Sequence, residues 1–513
     1  MTSSSGRRCS GCGCILSRFN DGSRCGTCSR DQRLRPAVGL WDLPDVRRAL
    51  ANWEISTIVS SYRRHTGATQ AAIGAAVGTD QSEVSRIERG HKQVRDRQQL
   101  LAWTRALGVP DHLLGALPGG EPSDTATVEL LGAPSPGVGQ LLLPPGVGLA
   151  TNMVPTLTVA AQGRHGAMIE LETDSAIDPW LRTPMRTMII ATQDVDDQTK
   201  RFAIDAGSIA DVSTRTGVKI RIPAAYELDD LTFGILWAVA GFDAALLGDD
   251  TALGEVLPLA SAADLDPLSE AVRRQRLSAG SLMLLGSQAC ADFILERRAS
   301  VADDPIFWTR EQRGEEAATW LLFKHKLAYL RSTAPRRPDS RTGRAFCIPQ
   351  TQVETSPKYE RVLLFLAIAL MESLGIRTWV TADSGFSETD GFVLIPGRRA
   401  VIANWVRAEA VSQLALTAKP TTLRTFADAA GQVSVKPLNG GQDPQSRLSA
   451  LAEYFRLDHG WLGRRCTELA EHGTAGLARP RSRLLSTEGL DAACRYVAAQ
   501  YRSTVRIPGS ATR

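Results

Sequence analysis

Two pairs of cysteines stand near the start of the chain, Cys9 with Cys12 and Cys25 with Cys28. Each pair is a C-x-x-C turn, and twelve residues separate the pairs. One such turn puts two thiolates on one side of a metal, and the second closes the other side. Zinc prefers four soft ligands in a tetrahedron, so the spacing predicts a structural Zn2+ on Cys9, Cys12, Cys25 and Cys28. Gly13 and Gly26 follow a cysteine in each turn, where an unhindered backbone can bend and offer N–H groups to sulfur. Arg7, Arg8, Arg18 and Arg24 partly offset the charge of a tetrathiolate. A unit this small has no core of its own, so the metal supplies its folding energy. A disulfide knot and a redox dithiol fit less well. The first belongs to oxidising compartments, and the second needs a thioredoxin-like βαβ setting. Cys14 is a surplus thiol that can replace Cys12 but fits the paired spacing less well. Cys290, Cys347, Cys466 and Cys494 are scattered singly, as small buried hydrophobes are.

A second pattern follows at residues 55–107. Residues 55–65 form a helix with Ile55, Ile58, Val59 and Tyr62 on one face. Thr69 caps a helix whose inner face is Ile73, Ala76 and Val77, and Gly78 supplies a tight turn. Asp80 or Thr79 caps the next helix, with Val84 and Ile87 inside and Gly90 at its end. Residues 98–107 add Leu100, Leu101, Trp103 and Leu107 to the core. Two short helices joined by a turn and backed by neighbours form a helix-turn-helix, a unit that places its second helix in the major groove of DNA.

This stretch resembles the XRE, or lambda-repressor-like, family of DNA-binding domains. The resemblance is carried by Thr69-Gln70, Gly78 and the run Ser85 to Gly90, and it covers about residues 50–117. It implies an all-α domain in which the start of the third helix meets base edges. Gln81, Ser82 and Arg86 take those positions, since Gln pairs with adenine and Arg with guanine. Ser85 and Arg89, on the same helix, are also expected to contact DNA. Gln70 is placed to meet a phosphate, and His91, Lys92 and Arg95 to continue along the backbone. Glu88 is read as a tether for a neighbouring Arg or a cap. The cysteine cluster, with Leu16-Ser-Arg-Phe-Asn20 between its halves, resembles a zinc motif that precedes such domains in actinobacterial regulators.

The 513 residues are 43% hydrophobic and 22% charged, which excludes a wholly disordered or collagen-like chain. At roughly 150 residues per domain, about three domains are expected. Residues 1–118 carry a net charge of +7, and the rest carries −3. A basic end on a near-neutral body points to a nucleic-acid end and a body with another task. Arg outnumbers Lys 51 to 8, which reads as the codon bias of a GC-rich genome. The first residues lack an apolar segment, and the longest apolar run, 231–247, is shorter than the roughly 20 residues of a membrane span. Asp243 also interrupts it. It reads as a buried helix, and the protein is expected in the cytoplasm with no membrane partner.

The expected order is a zinc knuckle at 1–35, the helix-turn-helix domain at 45–118, a Pro/Gly-rich linker at 119–155, an α/β body at 156–440 and a helical end at 441–513. The fold class is multidomain α/β. Strands are expected at 185–193, 218–224 and 377–382, and a hairpin at 392–405. Helices are expected at 228–247, 287–298, 311–332 and 357–374. In the C-terminal end, helices at 447–456, 460–471 and 487–501 surround a basic stretch at 478–485. One reading of that order is a winged helix, with Arg464, Arg465, Arg479, Arg481 and Arg483 on phosphates. The other is a helical packing or dimer domain.

The body shows no catalytic signature such as a nucleophile elbow, a Walker loop or a paired-histidine metal site. Glu315 and His325 are the most tempting pair, but an amphipathic helix with Trp320, Leu321, Leu322 and Leu327 buried and its charges in water is the simpler reading. No catalytic residue is assigned and no enzyme is expected. The sequence points to a DNA-binding transcription regulator, a homodimer on double-stranded DNA, whose body oligomerises or takes a small-molecule or protein ligand. A DNA-directed enzyme of phosphodiester or nucleotide chemistry and a scaffold on plasmid or phage DNA are the alternatives.

The zinc site has a direct measure. Elemental analysis should give one zinc per chain, and Cys25→Ser/Cys28→Ser should lose it. An unchanged metal content in the double variant removes the site.

Overall fold

The computed structural model describes residues 55–92, 137–172, 185–209, 219–260, 266–297 and 304–505 apart from short breaks, with 130–132, parts of 103–109 and short pieces of 7–46. Cys12, Cys25 and Cys28, as well as Gly78 and Arg95, lie outside the described residues. Near the start, Arg8 and Ile15 pair as an antiparallel bridge, and the Cys9 N–H donates to the Cys14 carbonyl at 2.8 Å. Cys9 is buried against Leu16, and Cys14 is exposed.

Three helices follow, α1 (Ile55–Thr66), α2 (Gln70–Val77) and α3 (Gln81–Glu88). Their buried residues, Ile58, Val59, Tyr62, Ile73, Val84 and Ile87 among them, form a core with Leu40, Trp41, Trp103 and Leu107. That core is separate from the body's.

The body opens earlier than the Pro/Gly-rich composition led us to expect. Strands β1 (Leu130–Gly132), β2 (Gly137–Leu143) and β3 (Asn152–Ala160) run through the expected linker. Leu141, Leu143 and Val154 point inward at alternate positions, and the Pro/Gly-rich loop at 144–151 connects two strands. Next come β4 (Gly163–His165), β5 (Met168–Glu172), β6 (Met188–Val195), β7 (Gln198–Asp205), α4 (Ala206–Ile209) and β8 (Lys219–Pro223). One sheet has the order β1-β2-β3-β6-β7, with β3 and β6 parallel. A small antiparallel sheet has the order β4-β5-β8.

Helix α5 (Asp230–Gly248) is the expected apolar helix, capped by Asp229 in a capping box with Thr232. It is the one helix among the described residues long and apolar enough to cross a membrane, and it is mostly buried inside the body. At Gly234 a Cβ would stand 2.9 Å from the Tyr359 carbonyl oxygen, so only glycine lets the two segments approach there. Three helices follow it, α6 (Asp250–Ala260), α7 (Asp266–Gln275) and α8 (Ala279–Arg297).

The second large sheet begins with β9 (Ile306–Thr309). The single helix expected over 311–332 is two, α9 (Gly314–Leu322) and α10 (Lys324–Thr333). Phe323 between them is extended, and the C-terminal segment holds the break: Lys324 donates to the Leu484 carbonyl, and Ser486 to that of Leu322. The chain continues through β10 (Gly343–Cys347), α11 (Gln350–Thr355), α12 (Lys358–Ser373), β11 (Arg377–Thr381), β12 (Phe392–Ile395), β13 (Arg399–Asn404) and β14 (Gln413–Thr417). The expected hairpin is β12–β13, with Gly397 at φ 71° in its turn. The sheet order is β11-β10-β9-β12-β13-β14, with β9, β10 and β11 parallel. Its central strands β9, β10 and β12 are buried on both faces. Phe307, Phe346, Val393 and Val401 join the main core, while their neighbours Trp308, Cys347, Leu394 and Ala400 face Phe426 and Val433 of α13 (Pro420–Val435).

The C-terminal helices are α14 (Pro444–Tyr454), α15 (His459–His472) and α16 (Glu488–Val505). Asp458 caps α15 and Gly473 ends it, as expected. These helices do not form a unit apart. Leu448, Leu462, Cys466, Leu490 and Val497 belong to the main core, and α16 packs on α12. No winged hairpin forms at 478–485, which is turns and two isolated bridges, Asn20 with Ser482 and Phe323 with Leu485. Arg465, read as a phosphate contact, is buried on Asp229 at 2.6 Å and on the Ala225 carbonyl at 3.0 Å.

One polar knot fastens this end to the sheet. Asp243, buried in α5, accepts from Arg186 at 2.6 Å and from the backbone N–H groups of Arg481 and Ser482. Arg186 also pairs with Asp205 and donates to the Arg479 carbonyl at 2.7 Å. Burial pushes the Asp243 carboxyl upward, and the Arg186 charge and the two N–H groups oppose it. Removing one partner of such a buried pair leaves an uncompensated charge. Asp243→Ala should therefore cost about 3–5 kcal/mol in urea unfolding; a loss below about 1 kcal/mol, the range of an exposed pair, would contradict that burial.

Candidate nucleic-acid interface

The Thr69 hydroxyl accepts the Ala72 N–H at 3.1 Å and so starts α2. The Asp80 carboxylate accepts the Glu83 N–H at 2.7 Å and so starts α3. Both caps stand where the sequence put them. Gly90, at φ 75°, follows α3. Asp80 also accepts from the Ser82 hydroxyl at 2.6 Å, and these hydrogen bonds, that of Ser82 foremost, hold its carboxyl below the usual range. The cap and the first exposed hydroxyl of α3 are thus fixed to each other.

Turning about 100° per residue, positions 81, 82, 85, 86 and 89 fall within about 140° of one another, opposite Val84 and Ile87. Gln81, Ser82, Arg86 and Arg89 are exposed, and Ser85 is half-buried among them. The structure therefore brings the five residues assigned to α3 onto one polar face. Gln70 has a different setting. Its amide donates to Glu88 at 2.7 Å, and Arg63 grips both oxygens of the same carboxylate at 2.6 and 2.7 Å. Glu88 is the tether the sequence suggested, and it binds the starts of α2 and the end of α3 to α1. Lys92 pairs with Glu83 at 2.5 Å and lowers its carboxyl. That contact carries Lys92 back over the side of α3.

Residues 59–117 match the family model of a helix-turn-helix domain. No curated protein and no solved structure matches the chain. The helix-turn-helix match suggests DNA binding by the N-terminal end of an otherwise mixed α/β chain.

Sequence reasoning missed the polar interior of the body. The charges of residues 315–326 were read as solvated, yet Glu315, Glu316 and Lys326 are buried. His325 touches the Ser287 hydroxyl at 2.9 Å, and the loss of solvent around its ring drives its pKa down to about 3. Glu315 does not face His325. It accepts the Gly148 N–H at 3.0 Å, from a loop of the segment read as linker. Burial raises it, and raises Glu316 and Glu360 to about 7. Glu315 and Glu316 line a cleft of about 840 Å³ with Arg273, Arg313, Met283 and Trp405, a size that suits small molecules. Only tertiary contact makes these positions internal, so periodicity along the helix carried no signal for them.

The raised carboxyls set a pH dependence. Unfolded, Glu316 and Glu360 ionise near 4.5; folded, near 7. Their preference for the protonated form stabilises the fold fully below 4.5 and is lost as pH rises through 7. Thermal unfolding should therefore show the body weakening between about pH 5 and 8, and Glu316→Gln should flatten that slope. A variant with the wild-type slope would assign the dependence to other groups.

Proposed function

We propose that this protein is a sequence-specific transcription regulator that reads double-stranded DNA through α3, with Gln81, Ser82 and Arg86 at base edges and Ser85 and Arg89 beside them. The observation that carries the reading is the exposed polar face of α3 on a helix-turn-helix core. Gln70 and Lys92 are assigned to the phosphate backbone. Their contacts with Glu88 and Glu83 hold them in place until a phosphate competes for them.

A structural zinc on the four paired cysteines is part of the proposal. Of its ligands, Cys9 is buried against Leu16 beside the bridge of Arg8 with Ile15, a setting that suits a thiolate held by metal. That bridge is followed by Ser17 and Asn20, which donate to Asp250 of the body at 2.6 and 3.3 Å. We also assign the body a role in dimerisation and in sensing a ligand, and the 840 Å³ cleft supports the second. One helix-turn-helix reads a single half-site, and a dimer spans two that lie about 34–36 Å apart.

A selection from random-sequence DNA tests the reading. Each good base contact contributes about 1–3 kcal/mol of discrimination, so Arg86→Ala should flatten the preference at one position. Lys92→Ala should weaken all sequences alike and reduce the salt dependence. An Arg86→Ala protein with an intact preference would move the reading face elsewhere.

A further inference from the structure

Between the main-core face of the six-stranded sheet and helices α8 to α10 lies a cavity of about 50 Å³. Phe307, Trp320 and Tyr329 wall it, and Arg344, Lys326, Arg310 and Glu311 supply its charges, Arg310 being paired with Glu388 at 3.2 Å. Arg344, on β10, is 3% exposed. Its Nη1 donates to the Thr309 hydroxyl at 3.3 Å. Among the described residues its Nε and Nη2 have no hydrogen-bond partner, and neither has the Trp320 Nε1. The guanidinium carbon lies 4.6 Å from the ring centre of Phe307, 5.0 Å from that of Trp320 and 5.6 Å from that of Tyr329. Ring faces attract the charge, but they offer no lone pair to the N–H donors. Buried donors without acceptors are rare, and each asks for a missing partner.

Lys326 differs, because it is matched. Its Nζ is 2.7 Å from Glu311 and lies over the Trp320 ring at 3.8 Å. Glu311 also accepts from the Trp405 Nε1 at 3.1 Å. One cation is thus paired with the one carboxylate, and the charge of Arg344 is left over.

We propose that this cavity binds the carboxylate of a small ligand, its two oxygens held side by side by Nε and Nη2 of Arg344. Adjacent donors in one plane match a planar carboxylate, and Trp320 Nε1 supplies a third. One water needs about 10–15 Å³, so the space takes a carboxylate and a short apolar remainder against the rings. The Glu311 charge in the wall disfavours a phosphate dianion. The site deepens the sensing role given to the body above, and it depends on that reading only for its regulatory meaning.

Propionate titrated into the full-length protein at constant ionic strength, with chloride as reference, tests the site by tryptophan fluorescence and thermal shift. A saturable signal and a rising Tm are expected, with none from propionamide and a weaker one from phosphate. Arg344→Lys keeps the charge but loses the paired donors, so it should bind about tenfold more weakly. Arg344→Met should not bind; if it does not fold, the acid and amide pair with Arg344→Lys decides. The proposal is overturned if acetate, propionate and benzoate all fail to saturate, if the amide matches the acid, if phosphate binds more tightly, or if a folded Arg344→Met keeps the affinity. DNA affinity with and without saturating propionate separates the two readings. A change supports a sensing role for this cavity, and no change removes that role from it while the site stands.

Discussion

Asp243 sits within an otherwise apolar helix, where an unpaired carboxylate would be costly. Its partners come from the strand side, as Arg186, and from the C-terminal segment, as the N–H groups of Arg481 and Ser482. The helix can be buried only when both are in place. The same segment then holds the break between α9 and α10 through Leu484 and Ser486. That break turns Lys326 toward Glu311 and leaves Trp320 between the helices and the sheet. The body's polar interior therefore depends on a contact that its apolar pattern does not contain.

The helix-turn-helix was legible because its determinants are local. Caps at Thr69 and Asp80, a glycine after α3 and apolar residues at helical spacing lie within a few turns of one another. The buried helix at 230–248 and the hairpin at Pro396-Gly397 were legible for the same reason. What escaped notice is non-local. Asp243 was visible only as an interruption of an apolar run, and its partners lie 57 and 238 residues away. The Pro/Gly-rich stretch hid β2 because proline and glycine mark linkers and tight strand connections alike. The winged reading of the C-terminal end rested on the order helix, helix, basic stretch, helix, which does not reveal that Arg481 and Arg465 are drawn inward by Asp205 and Asp229.

The two ends of the chain also meet. Asn20 pairs with Ser482, which itself donates to Asp243, while Ser17 and Asn20 reach Asp250 at the next helix. The cysteine-rich turn is thereby seated on the body and precedes the helix-turn-helix in the chain. Its neighbours in the fold are the residues that lock α5.

Such wiring separates the two parts in time. The helix-turn-helix core is made of contacts close in sequence, which form early and quickly. The body cannot close until the segment around 481–486 and α16 have been synthesised. A ribosome midway through the gene holds a finished helix-turn-helix domain on an unfinished body. Messages cut short after the first third would release a folded helix-turn-helix without the body that follows it.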